Sequence, residues 1–316
     1  HHPFVLDLAC QYFTSGRWIQ PRKRTSRWDL AILYNPKELE PPSNEKAIHR
    51  FMRAAQDRGI SPFLIGKDEY TKLAQYDALF IRETTNVHHH TYRFARRAQA
   101  EGMVVIDDPD SILRCTNKVY LKELLDRHRV PAPKTMVVHP GNIRTVAREL
   151  GLPVILKKPD SAFSQGVIKV DSEEELRHHC ERMFNGSELL IAQQFMPTEF
   201  DWRVGIIGGK ALWCSKYYMV DRHWQIMKWE GTEKSYGRDE SLPIDDAPPE
   251  VVKTALRAAS LIGDGLYGVD LKTVGRKTYV VEVNDNPSIE AGVEDTALGM
   301  KLYERIMDVF LERMET

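Results

Sequence analysis

Toward its end the chain reads Gly268-Val269-Asp270-Leu271-Lys272 and then Tyr279-Val280-Val281-Glu282-Val283-Asn284-Asp285-Asn286-Pro287. Two such apolar-patterned stretches, separated by a Gly-containing break, predict a β-hairpin. Strand side chains alternate between faces, so Glu282 and Asn284 point one way while Val281 and Val283 point into a core. A three-residue loop, Gly275-Arg276-Lys277, sets Asp270 opposite Glu282 and on its face; a two-residue loop would turn it away. With the three-residue loop, two carboxylates and an amide converge. Such a set suits Mg²⁺ (or Mn²⁺) on a nucleotide triphosphate, because Mg²⁺ takes hard oxygen ligands and is usually held by one or two carboxylates plus phosphates. A polar, solvent-facing hairpin edge is the competing reading of the same spacing.

A second stretch, Pro153-Val154-Ile155-Leu156-Lys157-Lys158-Pro159-Asp160-Ser161-Ala162-Phe163-Ser164-Gln165-Gly166, ends a buried strand in lysine and continues in small residues. Backbone amides in such a loop can close over phosphates while a lysine neutralises them. Lys157 and Lys158 project to opposite faces, and Lys157 is the one expected at the nucleotide. The G-x-x-x-x-G-K-[ST] pattern of P-loop enzymes is absent. In Ile191-Ala192-Gln193-Gln194-Phe195-Met196-Pro197 a strand runs into a Pro-terminated connection, where free backbone groups could meet adenine beside Phe195 or Met196. A further hairpin follows across Gly208-Gly209, a pair favoured in two-residue turns. That turn opposes Asp201 to Lys216 and Arg203 to Cys214, which leaves Asp201, Arg203 and Lys216 on one face. Arg203 could stabilise charge on a transferred phosphoryl group, and a salt-bridged sheet surface is the bland alternative. His88-His89-His90 are consecutive and cannot converge like i, i+4 ligands, so they read as a helix start, or at most one substrate contact. Asp107-Asp108-Pro109-Asp110 reads as a turn leading into a helix N-terminus.

These residues need elements to position them. Residues 1–28 form an arm without clear period, with a basic cluster between Arg17 and Arg27, and the natural chain is expected to extend further. Residues 29–115 alternate apolar strand patterns (30–34, 62–65, 78–81, 103–106) with helical ones (44–58, 88–101), which predicts a parallel, helix-covered sheet. Residues 116–193 begin a second, α+β unit and 194–316 a third, in which 219–246 is polar and aromatic without a core pattern and reads as a long flap. The 316 residues are 42% hydrophobic and 28% charged, ordinary for a globular chain. No stretch is apolar enough for a membrane span, and the beginning is not a secretory signal. A net charge of −1 argues against nucleic acid as a partner. Four scattered cysteines without CxxC spacing suggest neither zinc nor disulfides, and a cytoplasmic location is expected.

Taken in order, residues 155–166, 193–196, Asp201-Trp202-Arg203 and Glu282-Val283-Asn284 resemble the ATP-grasp superfamily, and more narrowly RimK-type glutamate ligases and glutathione synthetase. Leu33-Tyr34-Asn35-Pro36-Lys37, Phe80-Ile81-Arg82-Glu83-Thr84-Thr85, Thr116-Asn117-Lys118 and Asn284-Asp285-Asn286-Pro287 are similar to RimK family proteins that carry an N-terminal extension. The resemblance spans approximately 28–314. It implies an α/β and α+β architecture: an ATP-grasp fold whose two subdomains clamp ATP, preceded by a pre-ATP-grasp α/β domain. It further implies Lys118, Lys157 and the Ser164-Gln165-Gly166 loop on phosphates, Gln194, Phe195 and Met196 at the adenine hinge, and Glu199 and Asp201 on the ribose side. Lys216 joins this nucleotide set, and Asp270, Glu282 and Asn284 hold the metal. Arg82 is the candidate for a substrate carboxylate, Arg203 and Asn286 sit beside the reacting carboxylate, and Ser288 joins the substrate side. Gln194 and Lys158 depart from the residues usual at those positions in RimK-type enzymes.

The chemistry so implied is carboxylate–amine ligation: ATP phosphorylates a carboxylate, an amine attacks the acylphosphate, and ADP and phosphate leave. Such transfer needs positioning and charge neutralisation more than protein nucleophiles. The expected partners are a small-molecule or peptide carboxylate and an amino acid, glutamate by analogy, in a chain that can form homo-oligomers. A small-molecule kinase and a nucleotide-binding regulatory protein without turnover are the alternatives.

Overall fold

The computed structural model describes residues 26–159, 166–221, 223–230 and 233–316. Four strands, β1 (Trp28–Leu33), β2 (Ile60–Ile65), β3 (Ala78–Ile81) and β4 (Val104–Ile106), form a wholly parallel sheet in the order β2-β1-β3-β4. Leu30 and Ile32 face one core and Ala31 and Leu33 another, so β1 reads as an unbroken apolar run because both its faces are covered. Helix α1 (Glu45–Gln56), capped by the Asn44 side chain on the Ala47 amide, covers the first face, and α2 (His90–Ala100) covers the second. A 3₁₀ segment over Lys67–Gln75 lies between β2 and β3 and is not legible from hydrophobic period. Asp108 caps α3 (Pro109–Thr116), as the turn before a helix N-terminus requires, and Asn117 caps α4 (Lys118–Arg127).

The next sheet is antiparallel in the order β5-β8-β6-β7, built from β5 (Thr135–Val138), β6 (Val154–Lys157), β7 (Ile168–Val170) and β8 (Leu190–Gln194). Helices α5 (Ile143–Leu150) and α6 (Glu173–Phe184) cover one face through Val146, Leu176 and Cys180. The third sheet, in the order β13-β10-β9-β14-β15, contains β9 (Phe200–Ile207) and β10 (Lys210–Tyr218). The segment expected as a long flap carries more structure than its composition suggests. It holds the hairpin β11 (Met227–Glu230) and β12 (Glu233–Tyr236), then β13 (Asp239–Leu242), which pairs with β10 at the sheet edge. Helix α7 (Pro249–Ala259) covers one face of this sheet. Strands β14 (Leu266–Val274) and β15 (Lys277–Asp285) precede the last helix, α8 (Met300–Glu315).

Two packing facts position the site. Leu121 and Leu125 of α4 enter the core under the third sheet beside Trp202, Val204 and Val280, so the helix expected to open the middle unit is held by the last one. On the opposite face α8 joins Trp213 and Ile207 to Leu30, Ile32 and Phe80, so the first and third sheets share one core. No helix among the described residues is long and apolar enough to cross a membrane. Cys115, Cys180 and Cys214 are free thiols in the interior.

Both hairpins correct the register expected from their turns. The β14–β15 connection is the two-residue turn Gly275-Arg276, with Val274 opposite Lys277, not a three-residue loop. A bulge between Asp270 and Leu271 takes up one extra residue on β15 and restores Asp270 opposite Glu282. Val280 and Val283 are therefore the buried pair, and Val281, expected in the core, lines the cleft. The β9–β10 turn is the expected Gly208-Gly209, but a bulge between Ala211 and Trp213 shifts the pairing by one, so Arg203 opposes Ser215, and Lys216 opposes Trp202.

Candidate active site

Register places Asp270 directly between Arg203 on β9 and Glu282 on β15, three charged side chains in a row across one sheet face. Arg203 grips Asp270 with both arms, Nε to Oδ1 at 2.6 Å and Nη2 to Oδ2 at 2.9 Å. Burial disfavours the guanidinium charge, but Asp270 and this bidentate bond hold the Arg203 pKa above the usual arginine value. Asn284 closes on the same carboxylate, its Nδ2 donating to Asp270 Oδ2 at 3.0 Å. The expected set of Asp270, Glu282 and Asn284 thus shares a face, by a bulge rather than by the expected loop.

Two lysines complete the cleft from the other side. Lys118, the first residue of α4, reaches Glu282 Oε1 at 2.9 Å, and Lys157, the last of β6, donates to Gln193 Oε1 at 2.9 Å. Together with Val281 these side chains line one cleft between the middle sheet, α4 and β15. Burial would raise the Glu282 carboxyl, yet the charges of Lys118 and Lys157 hold it below its ordinary value. Burial pushes the Lys157 ammonium down, with Glu282 opposing that shift. Deeper along the face Lys272 Nζ donates to Asp201 Oδ1 at 2.5 Å and to Thr198 Oγ1 at 2.8 Å. Burial raises the Asp201 carboxyl even so, against the pull of Lys272.

Other expected site residues lie as follows. Gln194 ends β8, its amide donating to the Lys134 carbonyl at 2.8 Å, and the Phe195 amide donates to the Pro153 carbonyl at 3.4 Å. The Phe195 ring lies under Lys169 Nζ at 5.1 Å and 6.2 Å from Trp224 of the segment after β10. Met196 is half-buried and Glu199 exposed, with the Glu199 carbonyl accepting from the Met219 amide. Gly166 is exposed with φ +71°, a conformation that favours glycine, while Ser164 and Gln165 fall outside the described residues.

Three placements correct the expectations. Lys216 does not share the face of Asp201 and Arg203; the β10 bulge turns it to the opposite face, over the rings of Phe200 and Trp202, where it pairs with Glu240. Tyr217 takes its place under Arg203, 5.1 Å from ring to guanidinium, and donates its hydroxyl to Glu294. Arg82 does not present itself to a substrate carboxylate. It is wholly buried, and its donors go to Ser43 Oγ, the Pro42 and Pro287 carbonyls, and Asn286 Oδ1 at 2.8 Å. Asn286 is committed in turn, with φ +46° and its Nδ2 donating to the Glu83 carbonyl at 2.5 Å, so this pair ties the end of β15 to the end of β3. Ser288 is half-buried just beyond. Sequence reasoning passed over Gln193, Lys272, Tyr217 and Glu294. Lys272 was readable, since it stands two residues after Asp270 on one strand and so shares its face.

The fold that sets this cleft between the middle sheet, α4 and β15 is shared by solved ligases. The D-alanine–D-alanine ligase of Bacillus anthracis complexed with ATP superimposes with a TM-score of 0.67 over 92% of this chain and 98% of that one, at 15% identity. A family model, the RimK-like ATP-grasp domain, matches residues 115–309, more than half of the chain, and the chain belongs to that family. A probable alpha-L-glutamate ligase of Aliivibrio fischeri (strain MJ11) is 26% identical over 250 residues, 77% of this chain and 78% of that one. The alpha-aminoadipate–LysW ligase LysX of Saccharolobus solfataricus is 28% identical over 193 residues, 59% of this chain and 67% of that one. Fold and family together make the protein an ATP-grasp enzyme that forms carbon–nitrogen bonds at the expense of ATP.

Proposed function

We propose that the protein activates a carboxylate as an acylphosphate at the Lys118–Lys157–Glu282 cleft and joins it to the amine of an amino acid, glutamate being the first candidate. One relative is named for L-glutamate and another for α-aminoadipate, both amino acids with a second carboxylate. The acceptor class is a small-molecule or peptide carboxylate. The observation that carries the reading is the row Arg203–Asp270–Glu282 with Asn284 on Asp270 and two lysines opposite, a paired set of charges of the kind phosphoryl transfer uses.

Asp270, Glu282 and Asn284 are oxygen-bearing groups that fit Mg²⁺ or Mn²⁺, which when bound would offset charge on the triphosphate. In this reading Lys118 leaves Glu282, and Lys157 leaves Gln193, for phosphate oxygens. Arg203, held in plane by Asp270, fixes that carboxylate's orientation and lies beside the reacting carboxylate. Phe195 and the Gln194 backbone sit where adenine would pack. The β11–β12 hairpin shields the acylphosphate from water.

ADP release is measured with ATP, Mg²⁺ and a panel of amino acids, with and without hydroxylamine. Amino-acid-dependent ADP formation with hydroxamate in the trapped reaction supports ligation. A stable phosphorylated product, or ADP formation indifferent to every amino acid, rejects it.

A further inference from the structure

In the parallel sheet β2 lies on one side of β1 and β3 on the other. The connections therefore leave in opposite directions and open a crevice beyond the C-terminal ends of β1 and β3, where open α/β sheets take ligands. Two loops meet there: the Thr84 amide, just after β3, donates to Glu38, in the loop after β1, at 3.0 and 3.3 Å. Beside them Glu83 is 2% exposed, and its Oε2 lies 2.6 Å from His90 Nε2. Its other oxygen, Oε1, is buried and meets no hydrogen-bond partner among the described residues. A buried acceptor left open in this way calls for an occupant.

The crevice adjoins the active site. Asn286, two residues past Asn284, donates to the Glu83 carbonyl, and Tyr236 at the end of β12 donates to Glu40 in the loop after β1 at 2.9 Å. Arg82 adds no free cation, since its guanidinium is spent on Ser43, Asn286 and two carbonyls. Glu38 and Glu83 thus bring two carboxylates to the crevice, with the His90 ring on Glu83 as the basic group beside them. Burial first, and then the neighbouring Glu83 charge, push the Glu38 carboxyl up against the Thr84 hydrogen bonds and the nearby His90.

We infer that this crevice is the amine subsite: Glu38 and Glu83 receive the substrate's ammonium, and the Glu83–His90 pair takes the proton that the nitrogen must lose before attack. The inference rests on the ligase reading above. The ammonium gives one proton to the His90 ring. The freed nitrogen pair then forms the C–N bond at the acyl carbon, and the C–O bond to phosphate breaks with its electrons on phosphate. The second nitrogen proton passes to the departing phosphate, and the His90 proton returns to solvent, leaving amide and hydrogen phosphate.

Hydroxylamine separates this role from a structural one, because it is a neutral nucleophile near neutral pH and needs neither counter-charge nor proton acceptor. Wild type, Glu38→Gln and His90→Gln are compared with ATP, Mg²⁺ and the amino-acid panel, measuring amide without hydroxylamine and hydroxamate with it. The ratio of amide to hydroxamate is expected to fall about 100-fold in His90→Gln, through kcat, the loss typical of a removed general base. In Glu38→Gln it is expected to fall roughly tenfold, through KM for the amine. Hydroxamate formation also reports that each variant is folded. Amide and hydroxamate falling together, which would place these residues in the carboxylate half-reaction or in the scaffold, overturns the inference, as does an unchanged ratio. A wild type that yields no hydroxamate sinks the ligase reading itself, and this inference with it.

Discussion

Lys157 is a cation that the fold makes costly: burial lowers its pKa, and Gln193 and the Glu282 charge are its nearby compensation. A residue kept in such a place is suited to accept a stronger anion. Lys157→Met is expected to cut ADP formation by about 10²–10³, the usual cost of losing one preorganised charge-stabilising donor, while melting temperature holds or rises. Arg82 is the opposite case, a guanidinium whose value is structural. Arg82→Met leaves Ser43, Asn286 and two carbonyls without their donor, and urea unfolding should show a loss on the order of 3–5 kcal/mol. Asp107, wholly buried at the end of β4, carries a pKa raised well above the ordinary aspartate value by burial first and the Asp285 charge second. The unfolded chain then gives up this proton at lower pH than the folded one, so the residue lowers stability as pH rises above the ordinary carboxylate range. Asp107→Asn removes that penalty. Its melting temperature should exceed wild type at pH well above that range and converge with it toward acid.

At the scale of elements, two bulges settle the site. Alternation and the glycines between apolar runs indicated both hairpins and the strands that carry Asp270, Glu282 and Arg203, although the β14–β15 turn is one residue shorter than expected. They could not show an extra residue taken up within a ladder, because a bulge leaves composition and period nearly unchanged. In β15 the bulge restored the expected Asp270–Glu282 pairing, and in β10 it sent Lys216 to the far face. Gly205 shows why the β10 bulge fits: a Cβ there would lie 2.1 Å from the Trp213 ring, which lies against the bare backbone. Gly205→Ala should force Trp213 out of place and cost about 1–3 kcal/mol in thermal or urea unfolding. Gly268 plays a similar part beside the site, where a Cβ would meet Pro287 Cβ at 2.7 Å. Gly268→Ala is expected to weaken ADP formation more than stability, because Pro287 lies in the segment that carries Asn284 and Asn286.

For the whole molecule, the charge pairs occupy the side chains proposed to hold the metal. Glu282 is answered by Lys118 and Asp270 by Arg203, so a divalent cation must compete with side chains already in place. A triphosphate that draws the lysines away removes half of that competition. Calorimetry should detect little Mn²⁺ binding to the protein alone and clear binding once a non-hydrolysable ATP analogue is present; equal binding in both conditions would show that the pairs do not guard the site. The three sheets can hold this arrangement because α8 and α4 each cross between units, one joining the first and third sheets and the other carrying Lys118 to the third.

From residue types and spacing came the parallel first sheet, the α+β character of the rest, both hairpins, and Lys157, Asp270 and Glu282, while motif order carried the ATP-grasp likeness and with it Lys118, because hydrophobic period and motif order are local properties of the chain. Folding alone decided which donors were already spent. Arg82 and Asn286 turned inward because the ends of β3 and β15, about 200 residues apart in the chain by the separation of 204 between those two, are brought side by side. The pairing of Glu83 with His90 became meaningful only when the split of β2 and β3 about β1 opened a crevice beside it.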